Sequence, residues 1–277
     1  MSELTLERLE YLAGQFDKLL RLASYPVAVK LFKTKEELAE VRDKKNKPIR
    51  LIEDKCLAAC QLIGQSRYLG LTKAAVKERA SVCMYGSAVL GFEKLPVEYM
   101  HGYVRAYFTD EEVAERNFAN TPMFEPGSYS AILTAPLEKT PVIPDVVLIF
   151  GNVSQIYRII HAYNYNKGVR LEFSCNGEAG LCADALVLTM QSNKPVVALP
   201  CNGSRLVSWP SDDGLACGIP THMLEEIVEG LQFTHDGMVR YPLTWVHMDW
   251  EPPEGSIIRN VMSAKGFFPP DQRHPKK

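Results

Sequence analysis

Apolar residues at Leu6, Leu9, Leu12, Phe16, Leu19, Leu20 and Leu22 recur at steps of three and four, the period that lines one face of a helix. The spacing predicts a helix from Leu4 to Leu22 lying on a core. Tyr25-Pro26 ends it, and VAVKLF from Val27 to Phe32 reads as a strand, followed by a charged helix from Lys35 to about Arg42 and a solvated basic loop, KKNKP. Cys56 to Gly70 reads as helical, opened by Glu53-Asp54, whose carboxylates suit the positive end of a helix. Another helix runs from Met84 to Leu90, which puts Cys83 near its start. Residues 95–124 read as irregular apart from a short helix, Asp110 to Phe118, capped by Thr109 with Glu112 three residues on.

The second half alternates more cleanly. Strands are expected at Tyr129–Ala135, Val146–Phe150, Val169–Cys175 and Val196–Leu199, with helices at Ser154–Tyr165, Leu181–Met190 and Thr221–Gln232. That alternation predicts an α/β or α+β fold, a mixed sheet with flanking helices and some parallel pairing. In such sheets ligands collect outside strand carboxyl ends, so the loops Gly151-Asn152 and Cys201-Asn202-Gly203 are expected to face one crevice. Residues 1–242 form a single domain or two intimately packed halves, 1–124 and 125–242. Residues 243–277 read as an extension whose end, FFPPDQRHPKK, is disordered or draped on a partner.

With 277 residues the chain buries enough apolar surface to fold without covalent staples. Its net charge of -2, from 31 basic and 33 acidic residues, argues against a nucleic-acid or anionic-membrane binder. The N-terminal stretch is charged throughout, unlike a signal peptide, and no apolar run is long enough to span a membrane. The expectation is a cytoplasmic protein whose partners are a small molecule or a redox partner protein, with self-association hinted at by the first helix and the aromatic tail.

Against that background the seven cysteines stand out, because an intracellular chain seldom uses thiols for structural disulfides. Cys56 and Cys217 have ordinary core neighbours and Cys175 ends an expected strand; a free cysteine commonly serves as a small buried hydrophobe. Cys182 opens a helix, where unpaired amides favour a thiolate. Cys201 precedes the turn-forming Asn202-Gly203, and Cys83 lies just before Gly86. Cys60, on a helix, would supply a fourth thiol. No C-x-x-C pair or ferredoxin-type run occurs, so a metal site would be assembled from distant segments. Four converging thiolates suit an iron–sulfur cluster or zinc by softness, and dispersed ligands lean toward the cluster. Asp184, two residues after Cys182, and Arg205, four after Cys201, are candidate supports or substrate contacts beside Asn152 and Asn202, although a surface ion pair is the simpler explanation of Asp184 and of Arg205 taken singly. The six histidines are scattered and no HExxH, GxSxG, GxGxxG or P-loop pattern appears.

The pieces PVAVKL (Pro26–Leu31), Cys60-Gln61, Cys83 with its small followers, EPGSY (Glu125–Tyr129), PDVVLIFGNVSQ (Pro144–Gln155), CADA (Cys182–Ala185), LPCNGSR (Leu199–Arg205) and GIP with EEIVEGL resemble a family catalogued as domain of unknown function 169. The resemblance covers roughly residues 5–242. It implies that Cys60, Cys83, Cys182 and Cys201 are the recurring thiols. Two departures are Met84-Tyr85 where the family often has proline and glycine, and Ser204 where it commonly has an acid. The combined expectation is a 4Fe-4S cluster on those four cysteines serving electron transfer or reductive chemistry. A binding or sensor module, a thiol enzyme with Cys201 or Cys182 as nucleophile, and a structural zinc protein are the alternatives.

Overall fold

The structure, a computed structural model, describes residues 4–96, 98, 99, 102, 106–208, 211–236, 239–242 and 251–265. The chain divides into two units, Met1–Tyr241 and Pro242–Lys277.

In the first unit six strands form one sheet: β1 Val27–Phe32, β2 Lys73–Val76, β3 Ala131–Pro136, β4 Val146–Gly151, β5 Val196–Ala198 and β6 Leu215–Pro220. Their order is β2-β3-β1-β4-β6-β5, and every strand pair is antiparallel. The expected parallel pairing is therefore wrong. Strands β4 and β5, linked through helices, do run the same way, but β6 inserts between them and pairs with both. In the same manner β1 separates β3 from β4. The stretch 169–175, expected as a strand, forms none; it is exposed except at half-buried Leu171, and no strand pairs with it.

The helices given bounds among the described residues of this unit are α1 Leu6–Leu20, α2 Lys35–Ala39, α3 Ala59–Leu69, α4 Met84–Val89, α5 Glu111–Ala119, α6 Val153–Asn164, a π-helix Gly180–Leu188 continuing into α7 Thr189–Ser192, α8 Asn202–Ser208 and α9 Leu224–Asp236. They cover both faces of the sheet. Val27, Val29 and Leu31 of β1, with Val146, Leu148 and Phe150 of β4, pack under α3, α4 and the π-helix. The alternate residues Ala28, Val147 and Ile149 pack under α1, α6 and α9, as the two-residue period of a strand requires. A smaller core joins Leu38 of α2 to Phe32, Leu133 and Ala135. Double-sided burial makes the strands read as continuous apolar runs, a pattern more usual in parallel sheets.

Local chemistry sets the ends of these elements. The Thr5 side chain accepts the Arg8 N–H to start α1, and Asn152 with Gln155 forms a reciprocal capping box on α6. The π-helix lies directly on the sheet, because a Cβ on Gly218 of β6 would collide with the Ala185 carbonyl oxygen, and one on Gly180 would collide with that of Leu199.

In the second unit, Ser256 caps α10, Ile257–Ala264, by accepting the Arg259 N–H. Arg259 pairs with Glu251 at 2.9 Å. The tail 266–277 and the histidines 101, 247 and 274 lie outside the described residues. Among the described residues no helix is long and apolar enough to cross a membrane.

Candidate functional site

Cys60, Cys83, Cys182 and Cys201 line one cavity of about 280 Å³ on the α3 face of the sheet. Each arrives at the start of a helical element. Cys60 is the second residue of α3, and Cys83 is the N-cap of α4, where its Sγ accepts the Gly86 N–H at 3.4 Å. Cys182 is the third residue of the π-helix. Cys201 precedes α8; its carbonyl accepts the Arg205 N–H at 3.0 Å, and its thiol donates to Ser204 Oγ at 3.5 Å. Amides at helix starts and the helix dipoles favour negative charge on a nearby sulfur, an influence that burial outweighs at Cys60, Cys83 and Cys182.

Gly86 leaves the space between two of the thiols. A Cβ there would stand 3.3 Å from Cys182 Sγ and 3.4 Å from Cys83 Sγ, so sulfurs from distant segments face the same point. Burial pushes the Cys60 thiol up to about 12, and the neighbouring Cys83 and Cys201 push in the same direction. Burial also raises Cys182 well above its ordinary value, with Cys60, Cys83 and Cys201 adding to it. Cys83 is raised by burial despite the opposing Gly86 amide. Cys60, Cys83 and Cys182 are thus each shifted by at least one other thiol of the cavity. No three His, Cys, Asp or Glu side chains among the described residues are grouped about one metal-ion position. The thiols share a cavity wall without closing on a single point.

The rest of the wall includes Tyr85, Tyr99, Leu181, Val207, Asn202 and Glu178. No histidine, lysine or arginine lines it among the described residues. Burial raises Tyr99 and Tyr85 to about 12, and the Tyr85 hydroxyl lies 2.6 Å from Thr121 Oγ1.

The other candidate residues fare differently. Asn202 lines the cavity, and its Nδ2 donates to the Tyr107 hydroxyl at 3.2 Å. Asp184 is buried on the π-helix and does not line the cavity; its Oδ2 has no hydrogen-bond partner, and burial raises its carboxyl to about 6. Arg205 is not in the wall: it pairs with Asp212 at 2.9 Å on the surface. Asn152 is not in the wall either; it caps α6 and donates to the Tyr241 hydroxyl at 2.9 Å. The adjacent Gln155 Nε2 donates to the Leu20 carbonyl of α1, so the loop after β4 turns to the α1 layer while the loop after β5 turns to the α3 layer. Cys217 is buried in the α1-side core, Cys56 is half-buried with its thiol on the Glu78 carbonyl at 3.5 Å, and Cys175 is exposed.

Gly86, Glu178 and Tyr99 were not singled out by sequence reasoning as site residues. Gly86 was legible only as a small packing residue, and Glu178 only by its place in NGEAGLC, four residues before Cys182.

Comparison with known proteins adds kinship. The uncharacterised protein MJ0308 of Methanocaldococcus jannaschii is 30% identical over 224 residues, covering 79% of this chain and 92% of that protein. Signal-induced proliferation-associated 1-like protein 1 of Rattus norvegicus is 27% identical over 170 residues, 57% of this chain but only 8% of that protein. So small a share carries no argument. No solved structure matches significantly. Residues 15–230 match the profile of DUF169, described as uncharacterised ArCR, and the chain belongs to that family.

Proposed function

We propose that the protein holds a 4Fe-4S cluster on Cys60, Cys83, Cys182 and Cys201 and uses it in electron transfer, to a redox partner protein or to a small molecule reduced in the same cavity. The observation that carries this reading is the convergence of four cysteines from four separate segments on one cavity. Their donor set is entirely soft sulfur, which suits iron–sulfur clusters and zinc over hard cations. A structural zinc gathers four sulfurs at about 2.3 Å from one ion. In a cluster each thiolate meets a different iron, so its four sulfurs stand further apart than around one ion.

The donor electrostatics agree. Three thiols whose pKa values burial raises hold their protons more tightly in the metal-free protein, and a cationic core would provide the charge that lets them ionise. The same shifts weigh against a thiol nucleophile at Cys182, which needs a lowered pKa or a neighbouring base. Bound, the cluster would supply one-electron chemistry. The chain's own residues would then shape what reaches it, with Tyr99, Leu181 and Val207 excluding water and Asn202 and Glu178 offering polar contacts.

A serine panel tests the ligand assignment. Each of Cys60→Ser, Cys83→Ser, Cys182→Ser and Cys201→Ser should lose most of the visible cluster absorbance after anaerobic reconstitution, whereas Cys56→Ser and Cys175→Ser should keep it. Retention in two or more of the first four would refute the assignment.

A further inference from the structure

A second cavity of about 360 Å³ opens near the other end of α3. The α1–β1 junction, the last turn of α3 and the 3-10 turn Leu137–Lys139 form its wall. Arg67 stands in that wall and is 7% exposed. Its Nε donates to Ser24 Oγ at 2.8 Å. Its guanidinium carbon lies 4.0 Å from the Phe150 ring centroid and 4.4 Å from that of Tyr68. Its Nη1 is buried with no hydrogen-bond partner. No carboxylate perturbs the group; burial, the dominant influence, pushes it down to about 10.

A buried cation with an unused donor is costly unless something pairs with it. The two aromatic faces relieve part of that cost, and Arg67 also sits in the last turn of α3, where positive charge suits the dipole. Neither supplies a counter-charge. A carboxylate entering the cavity would, by pairing with the part of the guanidinium that stands in its wall. The remaining charges facing the cavity are acidic: Asp17 and Glu138 belong to its lining, and Glu138 is partly neutralised by Lys139 at 3.4 Å. Those acids tolerate a single negative charge better than two. The tyrosine rings of Tyr25 and Tyr68 offer apolar walls to the rest of a ligand.

We infer that this cavity binds a small monocarboxylate whose carboxyl group pairs with Arg67. The site is independent of the cysteine cavity, apart from sharing α3.

Thermal unfolding of the full chain in sodium acetate, in sodium chloride of equal ionic strength and in inorganic phosphate tests this. A ligand that binds only the folded state raises the melting temperature saturably. Acetate should do so beyond chloride and phosphate, and Arg67→Met should abolish the difference. An equal effect of chloride, a larger effect of phosphate, or an undiminished acetate effect in Arg67→Met would each overturn the inference. Should Arg67→Met not fold, Asp17→Asn on the exposed rim decides: with one repulsive charge gone, acetate affinity at low salt should rise roughly two- to fivefold. Unchanged affinity there would also overturn it.

Discussion

Gly86 matters through what it lacks. It is helical, so alanine there gains about 1 kcal/mol of helix propensity over glycine, yet the added Cβ would press on Cys83 Sγ and Cys182 Sγ. Gly86→Ala should therefore leave the melting temperature of the metal-free protein unchanged or raised while lowering iron content after reconstitution. Equal iron content in variant and wild type would show that the space between these sulfurs is not used. Cys217 illustrates the opposite role. Buried in the α1-side core, its thiol is raised by burial from 9.0 to about 12. The unfolded chain releases this proton near pH 9 while the folded chain holds it, so the stability it contributes is complete below that pH and lost as pH rises toward 12. Urea unfolding should show wild type losing about 1 kcal/mol more than Cys217→Ala between pH 8 and pH 10. Parallel pH profiles for the two proteins would contradict this.

The π-helix is the element on which the cavity depends, since it carries Cys182 and rests on β6 at Gly218. Gly218→Ala would force the Ala185 carbonyl away from the sheet. It should destabilise the protein by about 1–3 kcal/mol in urea unfolding, with loss of cluster incorporation following from the displaced Cys182. Elements with strong periodicity or β-branched runs were legible in the chain: α1, β1, β4 and α6 lie within a residue or two of where their patterns predict. Weaker ones were not. β2 is a four-residue strand with two alanines, β6 contains Gly218 and ends in Pro220, and α8 opens on Asn202-Gly203, a turn signal. Without β6, which separates β4 from β5, the alternation of strands and helices suggested parallel neighbours. The cysteines were separable into two groups by local context and family resemblance, but their meeting is a tertiary fact. Asn152 and Arg205 stand outside the wall of the cysteine cavity, one as a helix cap and one in a surface ion pair, roles that use the same residue types as a binding site.

The molecule places its functional candidates in the first unit, Met1–Tyr241. A chain ending at Tyr241 should fold with a melting temperature within a few degrees of the full protein and reconstitute to the same iron content; failure to fold would show that Pro242–Lys277 is required for the sheet and its helices. The family relation extends the proposal to MJ0308 as a question, since that relative is itself uncharacterised. The central claim is that four distant cysteines hold one cluster. Iron and acid-labile sulfide analysis of anaerobically purified full-length protein tests it most directly. The account predicts about four irons and four sulfides per chain. A single zinc per chain without sulfide, or a protein that takes up no iron even on anaerobic reconstitution, would contradict it.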